Sequence, residues 1–345
     1  MQETVTILLR TGHKATREPV EIPARVGTVR LGQKLGEGAG GVVLAGFDEA
    51  LHRRVAVKLL HRPRECDTEA AWFGLIEGVR NASSVRHPHI LTIHAVEMVG
   101  DVPAIIMEYV DGLSLRELLR RPGGRDAQIG LYVMHATVTA VAVLHEAGVV
   151  HRDLKPANVL IDQEGHVRVC DFGLACDLGV AVVRSREADV GGSPLYMAPE
   201  AFDGQVSPQG DVYSLGVMLF EVLTGDVPFT ADTINEIKQC HAHREPPAHL
   251  LEQKQVAPEL AEVVSRAMRK QRFLRYKTAG HMLRALDRSW PAGRDVRKLR
   301  QRVSRLVAGE PLDTPSPEPT GGHGARGTIF DVVARRAAEK RRRRQ

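Results

Sequence analysis

The sequence predicts an α+β fold of two lobes, a small β-rich lobe followed by a larger helical one. Short β-branched runs cluster early, Val42-Val43-Leu44 and Val55-Ala56-Val57 among them, with glycine-rich and charged turns between. Helical patterning dominates late, from residue 211 to about 286, so strands and helices are segregated rather than alternating as βαβ units. The 345 residues fit two domains, or one large bilobal one, at ~150 residues per domain.

Residues 1–28 are mixed in character, with Pro19 and Pro23, and read as an N-terminal extension or arm; from Val29 the texture changes. After the early strands a helical stretch is expected at roughly 69–85, then strands near 90–96 and 104–107. Past Asp111-Gly112 helices are expected at 113–119 and 129–145, with short strands at 159–161 and 167–169 before the late helices. The apolar run 212–224 contains Tyr213 and Glu221 and reads as a buried helix. Residues 289–310 read as a C-terminal helical segment, 311–328 as a Pro/Gly-rich linker and 329–345 as a basic tail.

Hydrophobic residues make up 43% and charged residues 26%, enough for a sizeable core and unlike a disordered or collagen-like chain. Aromatics are only 4%, which disfavours stacking on single-stranded nucleic acid. Of 47 Lys/Arg and 42 Asp/Glu, residues 329–345 hold seven basic and two acidic, so the rest balances at 40 of each. The tail supplies the whole +5, and the high pI does not argue for a nucleic-acid-binding body. Cys66, Cys170, Cys176 and Cys240 form no Cys-x-x-Cys pair and fit a reducing compartment. The N-terminal apolar patch is too short for a signal-peptide core, and no uninterrupted apolar run approaches the length of a bilayer-spanning helix. No membrane span is expected, and a cytoplasmic location is.

Three constellations carry chemistry. The first is Gly36-Glu37-Gly38-Ala39-Gly40-Gly41-Val42-Val43, whose glycines let backbone N–H groups approach phosphate oxygens. On this segment alone a dinucleotide-binding turn and a plain glycine-rich hairpin stay open. The former needs a helix after the last glycine, and the β-branched residues here prefer a strand. The second is Val55-Ala56-Val57-Lys58, where a lysine ends an apolar strand; it either pairs with an anion or carboxylate, or snorkels from the strand end. The third is His151-Arg152-Asp153-Leu154-Lys155-Pro156-Ala157-Asn158, followed by Asp171-Phe172-Gly173. A base, a cation and two oxygen donors suited to Mg²⁺ fall in one short stretch, from Asp153 to Asp171.

With these motifs in order, and with Ala198-Pro199-Glu200 and Asp211-Val212-Tyr213-Ser214-Leu215-Gly216 behind them, the sequence resembles the eukaryotic-type serine/threonine protein kinase family over roughly 29–288. The resemblance implies a bilobal kinase fold with ATP and Mg²⁺, or Mn²⁺ in its place, in the cleft. It implies that Leu35 to Val43, with Gly36, Gly38 and Gly41, cover the phosphates and that Lys58 holds them. Met107 would be the gatekeeper, the backbone of Glu108 and Val110 would bond adenine, and Ala56 and Leu160 would sandwich its ring. Asn158 and Asp171 would ligate the metal, Asp153 would orient the acceptor hydroxyl and take its proton, and Lys155 would neutralise the moving phosphoryl group. The Lys-Pro-x-Asn loop is similar to serine/threonine rather than tyrosine kinases. Ser193 would keep the hydroxyl that bonds Asp153 and Lys155, Asp211 opens the family's late-helix motif, and Arg275 would pair with Glu200.

Glu77 is the candidate carboxylate for Lys58, with Glu69 as the alternative; Gly74 and Gly78 flank it and loosen the expected helix. Arg152 before Asp153 implies an activation segment ordered by phosphorylation, with Ser185 the candidate site or an ordinary exposed loop serine. His87-Pro88-His89 matches the family's turn, and Cys240/His241/His243 lack a fourth zinc ligand. The reading is a protein kinase with serine or threonine acceptors in protein substrates, itself among them. A catalytically silent scaffold and a small-molecule phosphotransferase are the alternatives. The basic tail would take an acidic partner or stand as a solvated end.

Overall fold

The computed structural model describes residues 4–9, 18–38, 40–60, 78–80, 82–100, 102–171, 193–290 and 295–310. The early β-branched runs build an antiparallel six-stranded sheet. Its strands are β3 (Arg25–Val26), β4 (Val29–Gly38), β5 (Gly41–Asp48), β6 (Arg53–Leu60), β7 (Ile93–Val99) and β8 (Val102–Glu108), in the spatial order β3-β4-β5-β6-β8-β7. The period-2 alternation sorts side chains between two faces. Val29, Leu31, Val42, Leu44, Val55, Val57 and Ile106 form the buried small-lobe core. Directly opposed residues share a face, so Val43 with Lys58, and Ala45 with Ala56 and Met107, line the other one.

Strands β1 (Thr4–Leu9) and β2 (Glu18–Pro23) form an antiparallel hairpin, and Ile22 and Val26 enter the small-lobe core. The alternation in the run PVEIP carries this signal, with Ile22 1% exposed. The helix expected at 69–85 falls largely outside the described residues; Gly78, Val79 and Arg80 are helical.

The large lobe is built around one helix. Short helix α1 (Leu115–Leu118) starts at a Ser114 capping box, and α2 (Ala127–Glu146) starts where Asp126 accepts from the N–H groups of Gln128 and Ile129. By length and composition alone α2 could cross a membrane, but it is the buried core helix. Around it pack α3 (Pro208–Thr224), α7 (Ala279–Ser289) and α8 (Val296–Val307). Helices α4 (Ile234–His243), α5 (Ala248–Gln253) and α6 (Pro258–Ala267) complete the lobe. Helix α3 begins with Ser207 as cap and Pro208 in its first turn, and ends at Gly225 with φ +95°. Between the lobes, β9 (Gly112–Ser114), β10 (Val159–Asp162) and β11 (Val167–Val169) form a small antiparallel sheet. Residues 147–158, between α2 and β10, thereby form a loop at the foot of the cleft.

Candidate active site

That loop is tied down from below. Asp211, 2% exposed in the first turn of α3, accepts hydrogen bonds from His151 N at 2.7 Å and Arg152 N at 2.8 Å. His145 on α2 donates from Nε2 to the same carboxylate at 2.9 Å. The clamp holds Arg152 in the left-handed region, φ +72°, a conformation that costs a non-glycine residue energy unless its surroundings enforce it. His151 is fully buried and burial pushes its pKa down, so the ring is neutral. Its Nε2 donates to the Cys170 carbonyl at 3.0 Å and its Nδ1 accepts from Asp153 N at 3.3 Å. One imidazole thus joins the loop to the strand end that carries Asp171.

Above this anchor the polar groups converge. Lys155 Nζ lies 2.6 Å from Asp153 Oδ2, and the Asn158 amide nitrogen donates to the Asp153 carbonyl at 2.7 Å and to Oδ2 at 3.2 Å. Lys58, 6% exposed, pairs with Asp171 Oδ1 at 2.8 Å, which offsets the cost of burying its charge. Asp171 also has a positive φ, +64°. A Cβ on Gly40 would lie 3.5 Å from Lys58 Nζ, so the glycine-rich hairpin passes over the lysine. Gly41, φ +148°, could bear no side chain: its Cβ would sit 2.0 Å from the Leu59 carbonyl. At the lobe junction Glu108 N donates to the Thr92 carbonyl at 2.9 Å.

The protein kinase domain family matches residues 29–290. This chain belongs to the protein kinase family. The chain is 33% identical over 317 residues to serine/threonine-protein kinase PknB of Mycolicibacterium smegmatis, a match covering 86% of this chain and 50% of that one. It is 34% identical over 260 residues to serine/threonine-protein kinase PrkC of Bacillus subtilis, covering 74% and 40%. The chain thus spans half or less of the length of these curated relatives. Among solved structures, Rad53 1-466 in complex with AMP-PNP superposes with a TM-score of 0.60 at 21% identity, covering 74% of this chain and 64% of that one, and shows the likeness of fold.

Most of the kinase residues singled out in the sequence meet at this cleft. Lys58, Asp153, Lys155, Asn158 and Asp171 converge there, while Gly36 and Gly38 lie in the hairpin, opposite Val43 and Gly41. Glu37 pairs with Lys34. Leu35 is 43% exposed, and Leu160 is half-buried between the core residues Val159 and Ile161. The Val42 side chain is 1% exposed within the small-lobe core, and strand alternation turns Val43 to the cleft face. The partner of Lys58 among the described residues is Asp171, whereas Glu77, Glu69, Ala39 and Ser185 lie outside them. Ser193 opens the turn Ser193–Tyr196, but its side chain is likewise outside the described residues.

Glu200 and Arg275 form a bidentate pair at 2.6 and 2.9 Å, with the arginine 3% exposed. His241 is built into the core. Its Nδ1 accepts from the Tyr213 hydroxyl at 2.8 Å, and its ring packs on Phe202 and Phe229. Burial and nearby Lys270 push its pKa down to about 3. Sequence reasoning missed His145, because its role depends on α2 lying beside α3. It also missed the ion pair at 2.7 Å between Arg168 Nε and Glu108, which sit on strands remote from one another in the chain.

Proposed function

We propose that this protein is a serine/threonine protein kinase that transfers the γ-phosphoryl group of ATP to serine or threonine hydroxyls of protein substrates, its own chain included. One observation carries the reading: Asp153, held by Lys155 and Asn158, is joined through the buried His151 ring to Cys170, the residue before the Asp171 that pairs with Lys58. The names of the relatives support the acceptor type.

In this reading Asp153 orients the acceptor hydroxyl and takes its proton as the oxygen attacks the γ-phosphorus. The bond to the β-phosphate oxygen then breaks and ADP leaves. Lys155, already against Asp153, supplies positive charge where the transferring group develops negative charge. Lys58 holds the phosphates beneath the hairpin of Gly36, Gly38 and Gly41. The donor set fits a hard divalent cation: Asn158 turns its amide nitrogen to Asp153, which directs its amide oxygen away, and Asp171 offers a carboxylate. When bound there, Mg²⁺ would neutralise phosphate charge and orient the leaving group. Ala56 and Met107 share the cleft face of the sheet and would pack on adenine. A signalling role and an acidic partner for the basic tail belong to the same proposal and rest on family likeness and on charge.

The test is incubation of the purified chain with labelled MgATP, with and without a generic serine/threonine substrate, beside Asp153→Asn. Label on chain or substrate, lost in the variant, is the expected result. Nucleotide binding with no label, also after treatment with an activating kinase, would overturn the reading.

A further inference from the structure

Helix α8 lies beyond residues 29–290, which the family match covers, yet it is firmly fastened to the large lobe. Leu299, Val303, Leu306 and Val307 are its buried side. Arg302 pairs with Asp126 at 2.6 Å, and Arg121 donates to the carbonyls of Leu306 and Val307, where a cation suits the helix C-terminus. The β10–β11 turn abuts it so closely that a Cβ on Gly165 would lie 2.5 Å from the Arg300 carbonyl.

Arg300 connects this helix to the cleft. Its NH1 donates to His166 Nε2 at 3.1 Å, so that nitrogen accepts and the ring proton sits on Nδ1. His166 Nδ1 then donates to Asp162 Oδ2 at 3.2 Å. The same oxygen accepts from Arg168 NH1 at 2.7 Å, and Arg168 Nε pairs with Glu108 Oε1 at 2.7 Å. Asp162, Glu164 and His166 bring ligand atoms within 4.8 Å of one another, as a cation site would. Arg168 and Arg300 already engage two of the three, which disfavours that use. Glu108 ends strand β8, with its N–H donated to the Thr92 carbonyl and its Oε2 accepting from Thr92 N at 3.3 Å, at the position where the kinase reading places the backbone that meets a nucleotide base.

We propose that α8 positions the strand linking the lobes through the relay Arg300–His166–Asp162–Arg168–Glu108, so that nucleotide affinity depends on a helix outside the kinase-family match. The proposal rests on the kinase reading. Each member fixes the rotamer of the next, and Arg168 holds the Glu108 side chain on the side of β11. Glu108 stays bonded to Thr92 through its N–H and Oε2, so without Arg168 the strand end remains paired while its carboxylate loses its cationic partner and stands as uncompensated negative charge beside an anionic ligand. Loss of the relay therefore weakens nucleotide binding without touching Asp153.

The experiment titrates the full-length chain with a fluorescent ADP analogue and Mg²⁺ and measures ATP KM and kcat. It compares wild type with Arg168→Ala, exposed Arg300→Ala, the double variant and Arg168→Lys. Each alanine variant is expected to weaken nucleotide binding ~3–10-fold. The ATP KM should rise in parallel while kcat holds within about twofold, and Arg168→Lys should recover part of the loss. The double variant should be no weaker than Arg168→Ala alone, because the two arginines act in series. Wild-type affinity in either single variant, additive losses in the double, or a fall in melting temperature alone would each overturn the relay. A wild-type chain that binds no nucleotide would overturn the kinase reading and the relay together, so the two failures are distinguishable.

Discussion

Asp153 accepts from Lys155 Nζ and from the Asn158 amide, which fixes its carboxylate before any substrate arrives. Asp153→Asn keeps the shape and removes the base. It should lower the transfer rate ~10²–10⁴-fold. Nucleotide affinity should stay unchanged, which single-turnover rates beside equilibrium titration would check. Gly41 is the residue whose side chain is forbidden by geometry: at φ +148° a Cβ lands 2.0 Å from the Leu59 carbonyl. Gly41→Ala should raise the ATP KM severalfold and destabilise the small lobe by about 1–3 kcal/mol. Steady-state kinetics and urea unfolding read both. Gly38 has open space around its Cβ position and should tolerate alanine better in the unfolding measurement.

Elements are held to one another by a few charged groups taken out of water. The Arg275 side chain is 0% exposed and grips Glu200 with two hydrogen bonds, and it also donates to the carbonyls of Gln209, Arg269 and Lys270. The turn Pro199–Asp203 is thereby fixed to the base of α3. Arg275→Ala strands a half-buried carboxylate and should cost about 3–5 kcal/mol of unfolding free energy. Arg275→Met with Glu200→Gln should cost less than the single change, since no charge is left unpaired; equal losses would show that packing, not charge, fixes the turn. Much of this level was legible in the sequence. The stretches 113–119, 129–145 and 212–224 read as helices from their apolar patterning, while the structure set their ends at the Asp126 and Ser207 caps and Gly225. The N-terminal hairpin was not: Ile22 is a core residue only because β3 and β4 bring it to the sheet.

At the scale of the molecule, buried neutral imidazoles tie the stability of the fold to pH. His151 and His241 are both held below the usual histidine pKa, first of all by burial, His241 to about 3. The unfolded chain binds protons on these residues near pH 6.5 and the folded chain does not, so stability is intact above that value and falls as pH drops below it. His241 alone should cost on the order of 1 kcal/mol between pH 7.5 and pH 5.5, and His151 adds to the loss in the same direction. Urea melts at the two pH values check this, and His241→Phe, which keeps a ring among Phe202, Tyr213 and Phe229, should flatten the dependence.

The sequence by itself determined the segregation of strands and helices, the glycine-rich hairpin, and the identity of Lys58, Asp153, Lys155, Asn158 and Asp171. These are short-range facts: a loop whose polar residues sit two and five positions apart must cluster, and a β-branched run must alternate. Only the tertiary structure decided which face of β5 meets the cleft, giving it to Val43 rather than Val42. It alone set Asp171 against Lys58, Asp211 and His145 beneath the loop, and Glu108 against Arg168. Each of those pairs joins two elements that are remote from one another in the chain. No local periodicity encodes them, because they exist only once the packing of two lobes has brought distant side chains within hydrogen-bond reach.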